Sequence, residues 1–141
     1  MEVGVLGWSY KKTPVELRDK IALSTVEQGE LADRLKKSIP IEELTILSTC
    51  NRTEFYFSAR EIKSISSELL KFLVNRWDLE ELNVQAYQLQ DIETARHLFR
   101  VASSLDSMVL GEPQILGQLK EAFQRYRDLE WIGGRFNYLF P

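Results

Sequence analysis

Residues 44–57 read LTILSTCNRTEFYF, in which two apolar runs flank a polar centre. Residues 44–47 and 55–57 favour strands, whereas small hydroxyl side chains, an amide and a guanidinium lie between them. This composition predicts a strand–turn–strand corner whose polar groups face a pocket. The centre also holds Cys50, the only cysteine of the chain.

Two interpretations of Cys50 are open from the local sequence. A thiol flanked by Arg52 and several hydrogen-bond donors can be held partly as thiolate, the form that acts as a nucleophile. A free cysteine is, however, more often a small buried side chain without reactivity. Evidence from outside this stretch is needed to favour the nucleophile.

The composition is that of one domain, or of one domain with a short extension. The chain has 141 residues, of which 44% are hydrophobic, and this is enough for a core. Its formal net charge of −3 gives no overall basic field, so a nucleic-acid partner, whether tRNA or DNA, would be held locally or by parts of a longer protein. One cysteine excludes an internal disulfide and a Cys-based metal cluster, and the single histidine argues against a His-rich metal site.

The N-terminus and the hydropathy of the chain predict a soluble protein. The first residues, MEVGVL, lack the charged leader and apolar segment of a signal peptide. No apolar run approaches the roughly 20 residues that a membrane-spanning helix needs. Together with the single cysteine, these features lead us to expect a cytoplasmic location.

The spacing of apolar residues predicts an α+β fold. Strands are predicted over residues 2–9, 43–48, 53–58 and 84–89, and helices beginning near residues 13, 24, 61, 91 and 111. Helices between the first and second strands, and between the third and fourth, indicate the split βαβ arrangement of a ferredoxin-like sandwich. We therefore expect a four-stranded antiparallel sheet with extra C-terminal helices, and the Cys50 turn at one end of the sheet.

Three polar residues are predicted to cap helices. Thr13, with Pro14 and Glu16 after it, has the pattern of a capping box, and Ser24 begins a similar pattern. Asp91 is predicted to cap the helix that follows the fourth strand. Each of these side chains would accept a hydrogen bond from a backbone N–H in the first turn.

The helix that follows the fourth strand carries the single histidine. Its predicted buried stripe contains Ile92, Ala95, Phe99 and Ala102, and His97 lies about 180° away at about 100° per residue. His97 is therefore predicted outside the core. It is either a solvated surface residue or a member of a polar site, and a Cys–His hydrolase pair with Cys50 is also open.

The C-terminal third holds further polar residues and an apolar tail. Ser107, Glu112, Gln114 and Gln118 either rim a polar pocket or are ordinary cap and surface residues. A stripe with helical spacing is formed by Ile115, Leu119, Ala122, Phe123 and Tyr126. Residues 132–140 read IGGRFNYLF, an exposed apolar tail that predicts a partner surface, and we expect the chain to continue into a further helix or domain.

Three blocks of the sequence resemble the N-terminal catalytic domain of glutamyl-tRNA reductases. They are GWSYKKTPVELR at residues 7–18, LSTCNRTE at residues 47–54, and HLFRVASSLDSMVLGEPQILGQ at residues 97–118. The blocks occur in the order of the family and span nearly the whole chain, and the second and third together are highly specific. The resemblance implies the first committed enzyme of tetrapyrrole and heme biosynthesis by the five-carbon route, and it favours a reactive Cys50.

The resemblance implies a thioester mechanism. Cys50 would attack the ester that joins glutamate to its tRNA, and NADPH would reduce the resulting thioester to glutamate-1-semialdehyde. Arg52 would bind a substrate carboxylate, and His97 would assist the cysteine or the later hydride and proton steps. The rest of the glutamate pocket would consist of Thr49, Asn51, Ser107, Glu112, Gln114 and Gln118. Glu112 is the candidate for holding the α-ammonium group.

The resemblance also implies the parts of a longer protein. Residues 1–110 would form the ferredoxin-like catalytic core, and residues 111–141 a C-terminal helix and the start of a linker toward an NADPH-binding domain. The 141 residues contain no glycine-rich strand–turn–helix of dinucleotide-binding type, so NADPH would bind outside them. The full-length enzyme is implied to be a homodimer, with glutamate-1-semialdehyde aminomutase as a partner.

The first block departs from the family pattern. The family commonly has Asn-His-Lys-Thr-Ala-Pro where residues 9–14 read SYKKTP, so a catalytic histidine is missing there, although Tyr10 can still bind substrate by a hydrogen bond. A non-catalytic module that senses glutamate or tRNA is the main alternative function. The presence of Cys50, Arg52 and His97 together argues against it, because binding alone needs no thiol.

Overall fold

The computed structural model describes residues 2–103 and 115–140. Its strands are β1 (Val3–Ser9), β2 (Glu43–Ser48), β3 (Arg52–Ser58) and β4 (Tyr87–Gln90). Its helices are α1 (Val15–Ile21), α2 (Thr25–Ser38), α3 (Ile62–Trp77), α4 (Leu82–Gln85), α5 (Ile92–Ala102), α6 (Ile115–Asp128) and α7 (Gly134–Leu139). None of these helices is long and apolar enough to cross a membrane.

The strands of the described residues form one antiparallel sheet in the order β2-β3-β1-β4. With helices between β1 and β2 and between β3 and β4, this order is the predicted split βαβ arrangement, and the α+β prediction is confirmed. The β2–β3 hairpin turns at residues 49–51, so Cys50 lies at one end of the sheet, as predicted.

The two faces of the sheet carry separate apolar clusters because strand side chains alternate. On the first face, Trp8 and Phe55 pack against α1, α2 and the buried residues of α3, among them Leu69 and Leu73. On the second face, Val5 and Tyr56 pack against α5, α6 and α7. The predicted stripe of α6 is buried throughout. Helices thus cover both faces, and the second face holds the polar residues described below.

The predicted apolar tail packs back onto the protein. Phe136 and Phe140 are buried in the second apolar cluster, although Tyr138 is 97% exposed. The buried Glu43 carboxylate on β2 accepts hydrogen bonds from Ser58 Oγ at 2.9 Å, Gly133 N at 2.6 Å and Phe136 N at 3.0 Å. The prediction of an exposed tail is therefore wrong for most of this segment, because a strand carboxylate fixes the start of α7.

Two of the three predicted helix caps are wrong. Ser24 forms the predicted capping box with Glu27, but α1 begins at Val15 without a side-chain cap, and the Thr13 hydroxyl is buried without a partner in the described residues. Asp91 occupies the N-cap position of α5 with φ 50°, but its carboxylate accepts from Val3 N at 3.2 Å. That contact joins α5 to β1 and replaces the predicted cap.

The fourth strand begins later than predicted. Val84, its predicted first residue, lies in α4 and is 81% exposed, and β4 begins at Tyr87. The short helix forms because Leu82 is buried and its carbonyl accepts a hydrogen bond of 2.9 Å from the indole of Trp8. This long-range contact overrides the local preference for a strand.

The predicted buried stripe of α5 is also wrong. Phe99 is 69% exposed, and the buried residues of α5 are Thr94, Leu98 and Val101. Three residues of the predicted stripe, Ala95, Phe99 and Ala102, instead line a groove of about 690 Å³, together with Leu116 and residues 138–140. The helix has two apolar stripes, and the sequence does not indicate which of them faces the sheet.

Candidate active site

A row of polar side chains crosses the second face of the sheet near the Cys50 turn. Arg52, Glu54 and Tyr56 alternate along β3 and therefore point to the same face. Gly7 of β1 lies opposite Glu54, and Tyr87 of β4 lies opposite Gly7. Strand pairing thus places Tyr87 beside Glu54 although the two are 33 positions apart.

Glu54 is the centre of this row. Its carboxylate is fully buried and accepts hydrogen bonds from Tyr56 Oη at 2.7 Å and from Tyr87 Oη at 2.5 Å. Arg52 Nη1 lies 3.3 Å from Oε2 and forms a buried ion pair with it. His97 Nε2 also contacts Oε2, and α5 brings this ring down onto the sheet. A buried carboxylate is stable only with such partners, and here four side chains provide them.

The cluster keeps Glu54 ionised. Burial alone would raise the pKa of the Glu54 carboxyl, but the hydrogen bond and charge interaction with His97, the charge of Arg52 and the Tyr87 hydroxyl lower it to about 2. Burial, followed by the charge of Glu54, raises the pKa of Tyr56 well above its ordinary value. Tyr56 therefore remains a hydrogen-bond donor to an acceptor that is permanently negative near neutral pH.

Gly7 provides the space in which the cluster forms. A Cβ atom at this position would lie 2.9 Å from Glu54 Cγ and 2.9 Å from Tyr87 Oη, which is too close for either neighbour. Gly7 therefore allows Glu54 and Tyr87 to meet across β1. Its role here is steric.

The turn that carries Cys50 is held through its main chain. Thr49 N donates to Arg52 O at 2.8 Å, and Asn51 N donates to the Thr49 hydroxyl at 3.2 Å. Tyr10 N donates to Asn51 O at 2.9 Å, and Arg18 Nε donates to Cys50 O at 3.2 Å. The first sequence block thus anchors the turn, while the thiol of Cys50 is exposed.

The structure brings only some of the predicted site residues together. Arg52 and His97 meet at Glu54, and Arg52 follows directly on the turn of Thr49, Cys50 and Asn51. Of the two interpretations of His97, the solvated surface residue is wrong, since its side chain is only 12% exposed and contacts the rings of Tyr56 and Tyr87 in the polar cluster.

The third block is described only in part. Gln118 lies on α6, and its side-chain oxygen is buried without a hydrogen-bond partner in residues 2–103 and 115–140. Ser107, Glu112 and Gln114 lie outside the described residues. Their assignment to the glutamate pocket stays a prediction.

Three members of the cluster were missed in the sequence. Glu54 and Tyr56 had a local signal. They lie at alternate positions with Arg52 on an apolar strand, and burying a carboxylate there costs free energy unless it has partners. Tyr87 had no local signal, because its position beside Glu54 results from the pairing of β4 with β1.

A sequence-family model described as "Glutamyl-tRNAGlu reductase, N-terminal domain" matches residues 6–141. The chain belongs to this family. Two curated relatives named glutamyl-tRNA reductase, from Chromohalobacter salexigens and Neisseria gonorrhoeae, are 44% and 40% identical over 99% of the chain.

A solved structure of glutamyl-tRNA reductase from Methanopyrus kandleri matches 99% of the chain with a TM-score of 0.76 and 28% identity. The chain spans 33% of the length of those two curated relatives and 31% of the solved chain. It therefore corresponds to about a third of the length of these relatives, and the structural match covers 99% of it.

Proposed function

We propose that the chain is the acyl-transfer domain of a glutamyl-tRNA reductase and that Cys50 accepts the glutamyl group. The observation that carries this proposal is the combination of an exposed Cys50 in a rigid turn with the adjacent buried network of Arg52, Glu54 and His97. A structural cysteine would be buried in the core and would need no such network.

In the proposed reaction, the Cys50 sulfur attacks the carbonyl carbon of the ester between glutamate and the tRNA terminus. A carbon–sulfur bond forms, the carbon–oxygen bond of the ester breaks, and the tRNA oxygen leaves with a proton. The thiol loses its proton before or during the attack, so one proton passes from sulfur to the leaving oxygen. The product is a glutamyl thioester on Cys50 and a free tRNA.

The predicted roles of Arg52 and Gln118 fit this reaction. The ion pair of Nη1 with Glu54 orients the Arg52 guanidinium directly after the Cys50 turn, and its positive charge there supports the predicted binding of a substrate carboxylate. The buried side-chain oxygen of Gln118 has no hydrogen-bond partner among the described residues, which supports its predicted place in the glutamate pocket, where Glu112 stays the candidate for the α-ammonium group. Thr49, Asn51, Ser107, Glu112 and Gln114 complete the proposed glutamate pocket.

Residues 2–103 and 115–140 do not form the kind of fold that holds NADPH. A dinucleotide fold needs parallel strands with a glycine-rich turn into a helix, whereas the strands described here pair only antiparallel. We therefore assign reduction of the thioester to other parts of a longer protein. Homodimer formation, the aminomutase partner and the cytoplasmic location stay predictions for that protein.

Intact-protein mass spectrometry after mixing the chain with glutamyl-tRNA tests the acyl transfer. We expect a glutamyl adduct on the wild-type chain, or tRNA deacylation that depends on Cys50, and neither in a Cys50→Ser variant. Because the turn is held through main-chain atoms, Cys50→Ser should fold as the wild type does and serve as a matched control. The absence of both adduct and deacylation in the wild type would favour a binding module and refute catalysis by this domain.

A further inference from the structure

The hydrogen bond between His97 and Glu54 involves one particular ring nitrogen. Nε2 of His97 contacts Oε2 of Glu54, and the same carboxylate receives donors from Arg52, Tyr56 and Tyr87. An ionised carboxylate can only accept hydrogen bonds. Nε2 must therefore carry the proton in this contact, whether the ring is neutral or charged.

We propose that Glu54 is a positioning residue that holds a proton on Nε2 of His97, so that His97 acts in acyl transfer through Nδ1. This inference rests on the proposed function and specifies which ring nitrogen of His97 takes part in the acyl transfer. In a neutral imidazole one nitrogen is a donor and the other an acceptor, and the partner of one nitrogen decides which is which. With Nε2 protonated, Nδ1 is the nitrogen that can take up a proton.

The surroundings fix the ring as well as its proton. The ring centroids of Tyr56 and Tyr87 lie 6.4 Å and 5.2 Å from that of His97. The three rings belong to β3, β4 and α5, so the packing of these elements holds the imidazole in place. Glu54 cannot turn away easily, because both of its oxygens are bound and Gly7 leaves it just enough space. The geometry thus keeps Nδ1 in one orientation.

The position of the proton on the His97 ring decides whether Nδ1 can act as a base in the acyl transfer. His97 Nδ1 would accept the proton of the Cys50 thiol and return it to the tRNA oxygen as the ester bond breaks, so the proton count balances. A ring with its proton on Nδ1 could not accept the thiol proton there. Cys50 precedes Glu54 by four residues, which span at most about 13 Å of extended chain at ~3.3 Å per residue. Cys50 and Glu54, the partner of His97, therefore lie at the same end of the sheet.

The first test is the tautomer of His97, measured by long-range proton–nitrogen NMR correlations at a pH where the ring is neutral. The chain has one histidine, so the spectrum needs no assignment by mutation. We expect Nε2 protonated and Nδ1 bare in the wild type, and a gain of the Nδ1-protonated form in Glu54→Gln. A wild-type ring protonated on Nδ1 would overturn the inference, and this result needs neither substrate nor a folded variant.

The second test is the rate of Cys50-dependent glutamyl transfer in a single turnover. We expect Glu54→Gln to lower the rate at saturating glutamyl-tRNA by about 100-fold, the lower end of what a positioned acid–base group contributes. Glu93→Gln is the matched control, since Glu93 lies on α5 in an exposed pair with Arg96. An unchanged rate in folded Glu54→Gln would overturn the role in transfer, whereas no transfer by the wild type would refute the proposed function and leave the tautomer result standing.

Discussion

The missing Cβ atom of Gly7 leaves the space in which Glu54 and Tyr87 meet. Replacement by alanine would place a Cβ atom 2.9 Å from both Glu54 Cγ and Tyr87 Oη, and neither can retreat without losing a buried hydrogen bond. We expect Gly7→Ala to lower the free energy of unfolding by about 1–3 kcal/mol, the usual effect of overpacking a core. Urea denaturation followed by circular dichroism measures this.

A second glycine provides the control for that experiment. Gly29 lies inside α2, and a Cβ atom there would meet nothing within 4 Å. Gly29→Ala should therefore raise the free energy of unfolding by about 0.5–1 kcal/mol, because alanine favours helix. If both variants shifted stability in the same direction, steric crowding at Gly7 would not be the cause.

At the same scale, the sequence indicated part of the site. Cys50 and Arg52 could be identified because a polar turn between two apolar strands is a local pattern. The partnership of Glu54 with His97 could not, because it joins residues 43 positions apart through the orientation of α5. The spacing of α5 gave the wrong answer for the same reason, since it contains two apolar stripes and the sheet selects the one that includes Leu98.

Among the helices, α1 and α2 differ in how they begin although their sequences look alike. Ser24 Oγ accepts from Glu27 N at 3.2 Å, and Glu27 accepts from Ser24 N at 3.0 Å. We expect Ser24→Ala to lower the free energy of unfolding by about 1 kcal/mol, as for other lost N-caps. The same denaturation experiment measures it.

Thr13→Val is the comparison for Ser24→Ala. The Thr13 hydroxyl has no partner in the described residues, and its main chain is held by Ser9 and Arg18. Valine has nearly the same shape, so this change should leave stability close to that of the wild type. A loss as large as that of Ser24→Ala would show that Thr13 caps α1 after all.

At the scale of the whole molecule, the overall βαβ order followed from the sequence, but the way the C-terminal segment closes over the sheet did not. Glu43 looks like an ordinary acidic residue at the start of a strand. Its partners, Gly133 N and Phe136 N, are 90 and 93 positions away, so only the folded chain reveals them. Such a contact between distant segments leaves no local pattern.

Glu43→Ala should therefore loosen the attachment of α7. It would leave the Ser58 hydroxyl and two backbone N–H groups without their acceptor, and we expect a loss of about 2–3 kcal/mol. Calorimetry would measure this as a lower melting temperature. Its neighbour Glu42, which pairs with Arg135 near the surface, is the matched control, and Glu42→Ala should cost clearly less. Equal losses would contradict the role given to Glu43.

The Cys50 turn has a further consequence for the molecule as a whole. Because Arg18, Tyr10 and Thr49 hold it through main-chain atoms and the Thr49 hydroxyl, a group attached to the sulfur replaces none of these contacts. The turn should then keep one backbone conformation whether or not the sulfur carries the glutamyl group of the proposed reaction. In that reaction the turn would serve as a fixed support, and the next reactant would have to approach the loaded sulfur.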